Sequence, residues 1–419
     1  MKQLSNYLIV LMSLGAFSQQ QHQLTLNDCY DLVDLNYPLV QQTDLLEKQN
    51  AIDIETIETE KLPQLSLKAL ATYQSEVIEI PLPDTGIVPP NKDQYLATLT
   101  VNQLIYGGGL INSSIEAQSA DSRTKLKQVE VNLYQLKKQL NQLYFSILLL
   151  QENRALLEIK REQLEAKLKE VQSGINNGTL LPSSDKVLEA ELLKNNQGFI
   201  ELNLNRASLL QTLASLIGKE ISSTTLLQNP EISTNLKLEI YRPELELFQL
   251  KKEQIETSEQ LLSRQNVPKL YGFADGGFGN PGINPLNNSF QAFYIAGLKL
   301  NWNVFDWNAN KKKRESLSIN KDIIDTETNV FNLNTSIELQ QQQSEIDKIS
   351  SFITTDIEII KLRKEVLDAA DSQLRNGVIT SSAYITELTN LYTDENTLIK
   401  HKIQLELAKA NYNIIQGQK

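Results

Sequence analysis

Two stretches of the chain, about residues 110–173 and 307–375, contain neither proline nor glycine. Both carry apolar residues at alternating steps of three and four. In the first, Val129, Leu133, Leu136, Leu140, Leu143, Ile147 and Leu150 form the series, which continues through Leu157, Leu164, Leu168 and Val171. In the second, Ile346, Ile349, Ile353, Ile360, Leu367, Ala370 and Leu374 keep the same register, shifted by 199 positions. This is a heptad seam, and a strict seven-residue repeat implies left-handed supercoiling. Arg154 and Asp356 interrupt it. At 1.5 Å per residue, about 65 residues span about 100 Å. A helix that long has too few neighbours inside one globule, so an ordinary compact domain is excluded. Scarce breakers fit: 17 Gly and 12 Pro among 419 residues fall below the usual ~12%.

The seams belong to a larger duplication. Asn36-Tyr37-Pro38-Leu39 corresponds to Tyr241-Arg242-Pro243-Glu244-Leu245, and Leu62-Pro63-Gln64-Leu65 to Val267-Pro268-Lys269-Leu270, both at an offset of 205. Leu104-Ile105-Tyr106-Gly107 corresponds to Asn303-Val304-Phe305-Asp306, and Asn177-Gly178 to Asn376-Gly377, both at 199. The difference falls within the interval that holds the Pro-rich segment 81–93. Such internal repetition fixes the plan of a fold. The chain reads as a first repeat at 19–217, a linker or equatorial segment at 218–241, and a second repeat at 242–417.

Each repeat opens with a helical stretch, 26–61 and 243–264, ended by Pro63 and Pro268. Strands are expected at about 65–80 and 94–106, then at about 269–279 and 289–305. The last is the clearest. Phe290, Ala292, Tyr294, Ala296, Leu298, Leu300, Trp302 and Val304 alternate with residues such as Gln291, Lys299, Asn301 and Asn303, a period of two. The strand at 94–106 sets Tyr95, Ala97, Leu99 and Val101 against Thr98, Thr100 and Asn102. After each long helix comes a glycine turn, Asn177-Gly178-Thr179-Leu180 and Asn376-Gly377-Val378-Ile379, because glycine closes a helix in the left-handed conformation. Returning helices follow at 183–217 and 382–415. Strands at one pole and glycine turns at the other complete the repeat. Four strands are too few to close a barrel, and open edges demand pairing. An oligomer is therefore expected, with twelve strands from three chains.

Residues 1–18 have the pattern of an export signal: a Met1-Lys2 start, the apolar run at 7–17 and the small-x-small site Ala16-Phe17-Ser18. Cys29 lies too far beyond that run to be a lipid-anchored first residue, and it suits a buried place on the first helix. One cysteine and two histidines exclude an intramolecular disulfide and make a Cys/His zinc site untenable. With 51 acidic and 40 basic side chains, the net charge of −11 speaks against a nucleic-acid partner.

The Asn36–Pro38 start, Leu62–Leu65, the strand-to-helix turn at 103–109 and the paired Asn-Gly helix ends resemble the TolC-like outer-membrane efflux proteins. The resemblance spans about residues 24–416. It implies a homotrimer whose β-barrel sits in outer-membrane lipid and whose α-helical barrel crosses the periplasm. It further implies helix tips that dock on a periplasmic adaptor (membrane fusion) protein and serve an inner-membrane RND or ABC transporter. On that reading Asn177, Gly178, Thr179, Leu180, Asn376, Gly377, Val378 and Ile379 dock the adaptor. Thr98, Thr100, Asn102, Lys299, Asn301 and Asn303 face the barrel lumen. Ala383 and Thr386 stand where the family's best-known member carries its gate aspartates, so Asp185 and Glu387 are the candidate entrance carboxylates.

The expected function is a passive exit duct for efflux or type I secretion. The alternative is a periplasmic coiled-coil adaptor, which predicts glycine-turned hairpins but not two strand pairs at matching places in two repeats. An enzyme is not expected. There is no Ser-His-Asp set and no metal-ligand cluster, and Gly107-Gly108-Gly109 lacks the Lys-Ser/Thr of a phosphate loop. No cofactor is implied.

Overall fold

The computed structural model describes residues 23–78, 89–234 and 240–418. The expected signal at 1–18 lies outside the described residues, as does most of the Pro-rich segment. The elements are α1 (Leu26–Asn36), α2 (Gln41–Glu58), β1 (Gln64–Tyr73), β2 (Asp93–Tyr106), α3 (Leu110–Asn176), α4 (Ser184–Ile217), α5 (Pro243–Gln265), β3 (Lys269–Asn280), β4 (Gln291–Asn301), α6 (Ala309–Arg375) and α7 (Ser381–Gln416). The order helix–strand–strand–long helix–helix thus occurs twice, and α3 and α6 each run for 67 residues.

Several boundaries differ from the sequence expectation, each for a local reason. The first helical stretch breaks at Tyr37, whose ψ of 135° is the extended conformation that a following proline imposes. A short 3₁₀ turn at Pro38–Val40 then leads into α2. α1 starts on a reciprocal cap in which the Thr25 hydroxyl accepts from the Asp28 N–H and the Asp28 carboxylate accepts from the Thr25 N–H, both at 3.0 Å. β1 stops at Tyr73 rather than near 80, because its partner strand ends at Asp93. β4 stops at Asn301 rather than near 305. Asn301 pairs with Lys269, and the residue before Lys269 is Pro268, which has no N–H to offer. α6 starts at Ala309 rather than 307, because Trp307 and Asn308 are left-handed.

The described residues divide into two compact units, one of 23–37, 136–234 and 339–418, the other of 38–78, 89–135 and 240–338. The second unit holds the sheet and α2, the start of α3, α5 and the start of α6. Its helices are tied by polar contacts: Gln118 of α3 donates to Asp53 of α2 at 2.9 Å, and Gln254 of α5 to Asp121 of α3 at 2.8 Å. Lys321 of α6 donates to Glu259 of α5 at 3.3 Å. Arg242, just before α5, donates from Nε to Glu244 at 2.9 Å and lies over the rings of Tyr134 and Phe331. Burial disfavours its cation, but the bonds and charge of Glu244 outweigh that and hold its pKa above the ordinary value.

In the first unit the seam positions Leu140, Ile147, Leu164 and Val171 of α3 and Ile346, Ile349, Ile360, Ala370 and Leu374 of α6 are buried. The two interruptions of the seam acquire partners. Arg154 lies over the ring of Phe199, and Asp356 meets Nδ1 of His401 at 2.5 Å. Cys29 is fully buried on α1, and burial, with Asp28 second, pushes its thiol up to about 12. The linker docks on α3. Gln151 accepts from the Leu227 N–H and donates to the Leu227 carbonyl, both at 3.1 Å, and the Tyr144 hydroxyl donates to the Gln228 carbonyl at 2.6 Å. Backbone groups without a helix or sheet ladder are satisfied by side chains instead.

Candidate functional site

The sheet has the order β1-β2-β3-β4 and is antiparallel throughout. Residues directly opposite in the ladder share a face, so the register sorts the side chains. One face carries Leu65, Leu67, Ala69 and Ala71 of β1, Tyr95, Ala97, Leu99 and Val101 of β2, Leu270, Ala274 and Phe278 of β3, and Ala292, Tyr294, Ala296, Leu298 and Leu300 of β4. Apart from Asp93, Gln103 and Asn280 near the strand ends it is apolar, yet Leu67, Leu298 and Tyr294 are more than two-thirds exposed. The other face is mixed. It carries Ser66, Lys68 and Thr72, Thr98, Thr100 and Asn102, Lys269 and Asp275, and Lys299 and Asn301, together with Leu70, Leu96, Leu104, Tyr271, Phe273, Phe293 and Ile295. It holds the lysines and most of the polar side chains of the strands.

Five of the six expected lumen residues therefore share this second face: Thr98, Thr100, Asn102, Lys299 and Asn301. Asn303 does not, because β4 ends at Asn301. The faces of β3 were not legible in its glycine-rich sequence. Its register puts Gly277 beneath Phe293, where an added Cβ would come within 2.2 Å of the ring. Thr100 donates to Asp275 at 2.5 Å across the β2–β3 pair.

At the tips, both long helices end on a glycine with positive φ, 73° at Gly178 and 70° at Gly377, as a left-handed cap requires. The Val378 N–H returns to the Gln373 carbonyl at 2.8 Å, and the Thr179 N–H to the Gly174 carbonyl at 2.9 Å. The two turns approach each other: a Cβ on Gly377 would lie 3.4 Å from the Thr179 carbonyl oxygen. The Thr380 hydroxyl caps α7 by accepting from the Ala383 N–H at 3.3 Å, whereas Ser183 makes no side-chain cap for α4.

The eight expected tip residues do not all face outward. Asn177, Gly178, Thr179, Asn376, Gly377 and Val378 are exposed, Val378 by 70%. Leu180 and Ile379 instead pack against the apolar cluster of Leu164, Val171, Leu188, Leu374, Tyr384 and Leu388. Leu181, one residue beyond the expected stretch, is 68% exposed. The two candidate carboxylates are both half-buried and paired. Asp185 lies 3.4 Å from the Lys186 ammonium. Glu387 lies 3.6 Å from Arg363 and accepts from Asn390 at 3.3 Å.

Sequence reading missed a charged cluster just behind the tips. Lys167 of α3 donates to Glu170 at 2.5 Å and to Asp371 of α6. Arg375 reaches Glu170 at 2.8 Å and Asp371 at 3.0 Å. Lys167 also lies 5.3 Å from the ring centre of Tyr384. Burial first, then Asp371 and Glu170, pushes the Tyr384 phenol up to about 12. The one available signal was the spacing Lys167/Glu170 and Asp371/Arg375, which is ordinary for solvated helix faces.

No protein-family profile and no curated protein matches the chain. Solved structures do. Over 94% of its length it is similar to CusC, a protein studied for transmembrane channel formation, with a TM-score of 0.69, 11% identity and 92% of that chain covered. The outer-membrane channel OprN matches with a TM-score of 0.67, 12% identity and 90% of its chain covered. The outer membrane protein VceC of Vibrio cholerae matches with 0.65, 13% and 96%. Likeness at this identity is one of fold: the chain has the fold of the TolC-like outer-membrane channels.

Proposed function

We propose that this protein is a passive exit duct of the outer membrane, formed by three copies of the chain and serving tripartite efflux or type I secretion. The observation that carries the reading is the one-sided sheet. An exposed, almost wholly apolar face backed by one that gathers the lysines and most of the polar side chains suits a strand wall between lipid and water. β1 and β4 have no outer partner among the described residues, and three copies joined edge to edge would make a twelve-stranded barrel.

The helices support the same closure. Leu45 and Ile52 of α2 are exposed, as are Ile319, Ile323, Val330, Leu333 and Ile337 of α6. Their spacing is that of a heptad seam awaiting a partner helix. A periplasmic helical barrel would bury both stripes between copies. The outward residues Asn177, Thr179, Leu181 and Val378 would meet a periplasmic adaptor, which links the duct to an inner-membrane RND or ABC transporter. Asp185 and Glu387 would stand near the entrance, with Arg363 offsetting the charge of Glu387. Residues 1–18 would direct export. An adaptor built around one hairpin leaves the second strand pair without a role.

The test is extraction of the native protein from outer membranes in detergent, followed by mass measurement of the complex and single-channel recording. A trimer that conducts is expected. A monomer in the soluble periplasmic fraction would sink the proposal.

A further inference from the structure

The face of the sheet that holds most of the polar side chains carries charge of the opposite sign to the chain. The chain as a whole is −11. That face holds Lys68, Lys269 and Lys299 and one carboxylate, Asp275, which already accepts from Thr100 at 2.5 Å. None of the three lysines makes an ion pair among the described residues. Lys269 and Lys299 are diagonal neighbours on one face: Lys269 pairs with Asn301, and Lys299, two rungs along, pairs with Tyr271. Diagonal neighbours of this kind lie about 7–8 Å apart, close enough for two like charges to repel. The apolar face carries no lysine or arginine on any strand.

We propose that these lysines make the barrel segment of the duct anion-preferring, and that Lys68, Lys269 and Lys299 set a preference for small anionic solutes. This rests on the duct reading above. Three copies would bring nine ammonium groups and three carboxylates to one wall, and rings of basic side chains favour anion passage. The effect acts through space, so it depends on screening. The Debye length is about 30 Å at 0.01 M salt and about 3 Å at 1 M.

The test is the reversal potential of the full-length protein in a planar bilayer under a KCl gradient. It compares the wild type with the triple variants Lys68→Glu/Lys269→Glu/Lys299→Glu and Lys68→Gln/Lys269→Gln/Lys299→Gln. The Glu variant should shift the reversal potential toward potassium and the Gln variant should shift it less in the same direction. Both shifts should shrink as salt rises to 1 M. Should charge reversal prevent assembly, the Gln variant carries the test alone. Reversal potentials that match the wild type at low salt would overturn the lysine assignment. A wild-type protein that never conducts would overturn the duct reading instead.

Discussion

The sheet joins the long helices at two junctions that share a backbone and differ in why they can adopt it. At the first, Gly108 and Gly109 take φ values of 61° and 82°. At the second, 199 residues later, Trp307 and Asn308 take 55° and 63°. A left-handed residue with a Cβ costs about 1–2 kcal/mol, so glycine is the expected choice at both. The surroundings explain the departure. A Cβ on Gly108 would lie 2.1 Å from Cγ2 of Val267, whereas Trp307 is 80% exposed and meets Phe305 edge to face at 4.8 Å. β2 is an inner strand with neighbours on both sides and β4 is an edge strand. Duplication copied the path of the chain, and position in the sheet then decided which residues could occupy it.

The second junction gains something that the first lacks. Asp306 accepts from the Asn310 N–H at 2.9 Å and from the Asn266 side chain at 2.6 Å. Those bonds, the backbone one first, hold its carboxyl below the ordinary carboxylate range. The first junction has Gly107 at the equivalent place, with no side chain to accept. The backbone bond is common to both, Leu110 N–H to the Gly107 carbonyl at 3.1 Å and Ala309 N–H to the Asp306 carbonyl at 3.0 Å.

The sharpest way to break this comparison is Gly108→Ala. Left-handed strain and overpacking against Val267 together should cost about 2–5 kcal/mol, read by denaturant unfolding in detergent. Adding Val267→Ala should return the packing share and leave the strain. Wild-type stability in the single variant would mean that the first junction is as open as the second. A smaller effect separates strain from ring contacts at Trp307. Trp307→Gly and Trp307→Ala both remove the ring, so any difference between them reports the left-handed cost. Gly should be the more stable by about 1–2 kcal/mol, and equal melting temperatures would remove strain from the account.

The smallest expected effect is a pH dependence confined to the second junction. The folded pKa of Asp306 is depressed, so its contribution is present above the unfolded value of 3.8 and is lost as pH falls through the folded value. The chain has two tryptophans, Trp302 and Trp307, and both lie at this junction, so their fluorescence reports it selectively. Acid should change the emission in the wild type, and Asp306→Asn should remove the transition. An unchanged acid transition in the variant would assign it to another group.

Much of the fold was legible because its determinants are local. Heptad spacing specifies which face of a helix is apolar, and a glycine past the last seam residue specifies where it turns. The alternation in β4 was equally plain. Strand ends were not, because a strand stops where its partner runs out, as β4 does opposite Lys269. Leu180 and Ile379 read as tip surface because each follows a glycine turn, but the returning chain rotates them onto the apolar cluster. The partners of Lys167 and Asp356 were hidden for a related reason. Asp371 and His401 lie on other helices, and nothing in the local spacing names them.

By itself, then, the sequence determined the two repeats, the seams, the turns and a strand that is apolar on one side, since each is a pattern within one stretch of chain. Only the tertiary structure decided the rest. It gathered Lys68, Lys269 and Lys299 on one face, required glycine at 108 while tolerating tryptophan at 307, and matched the seam-breaking Asp356 with His401. Those outcomes depend on which strands and helices become neighbours, and free energy of packing and pairing is shared between residues far apart in the chain.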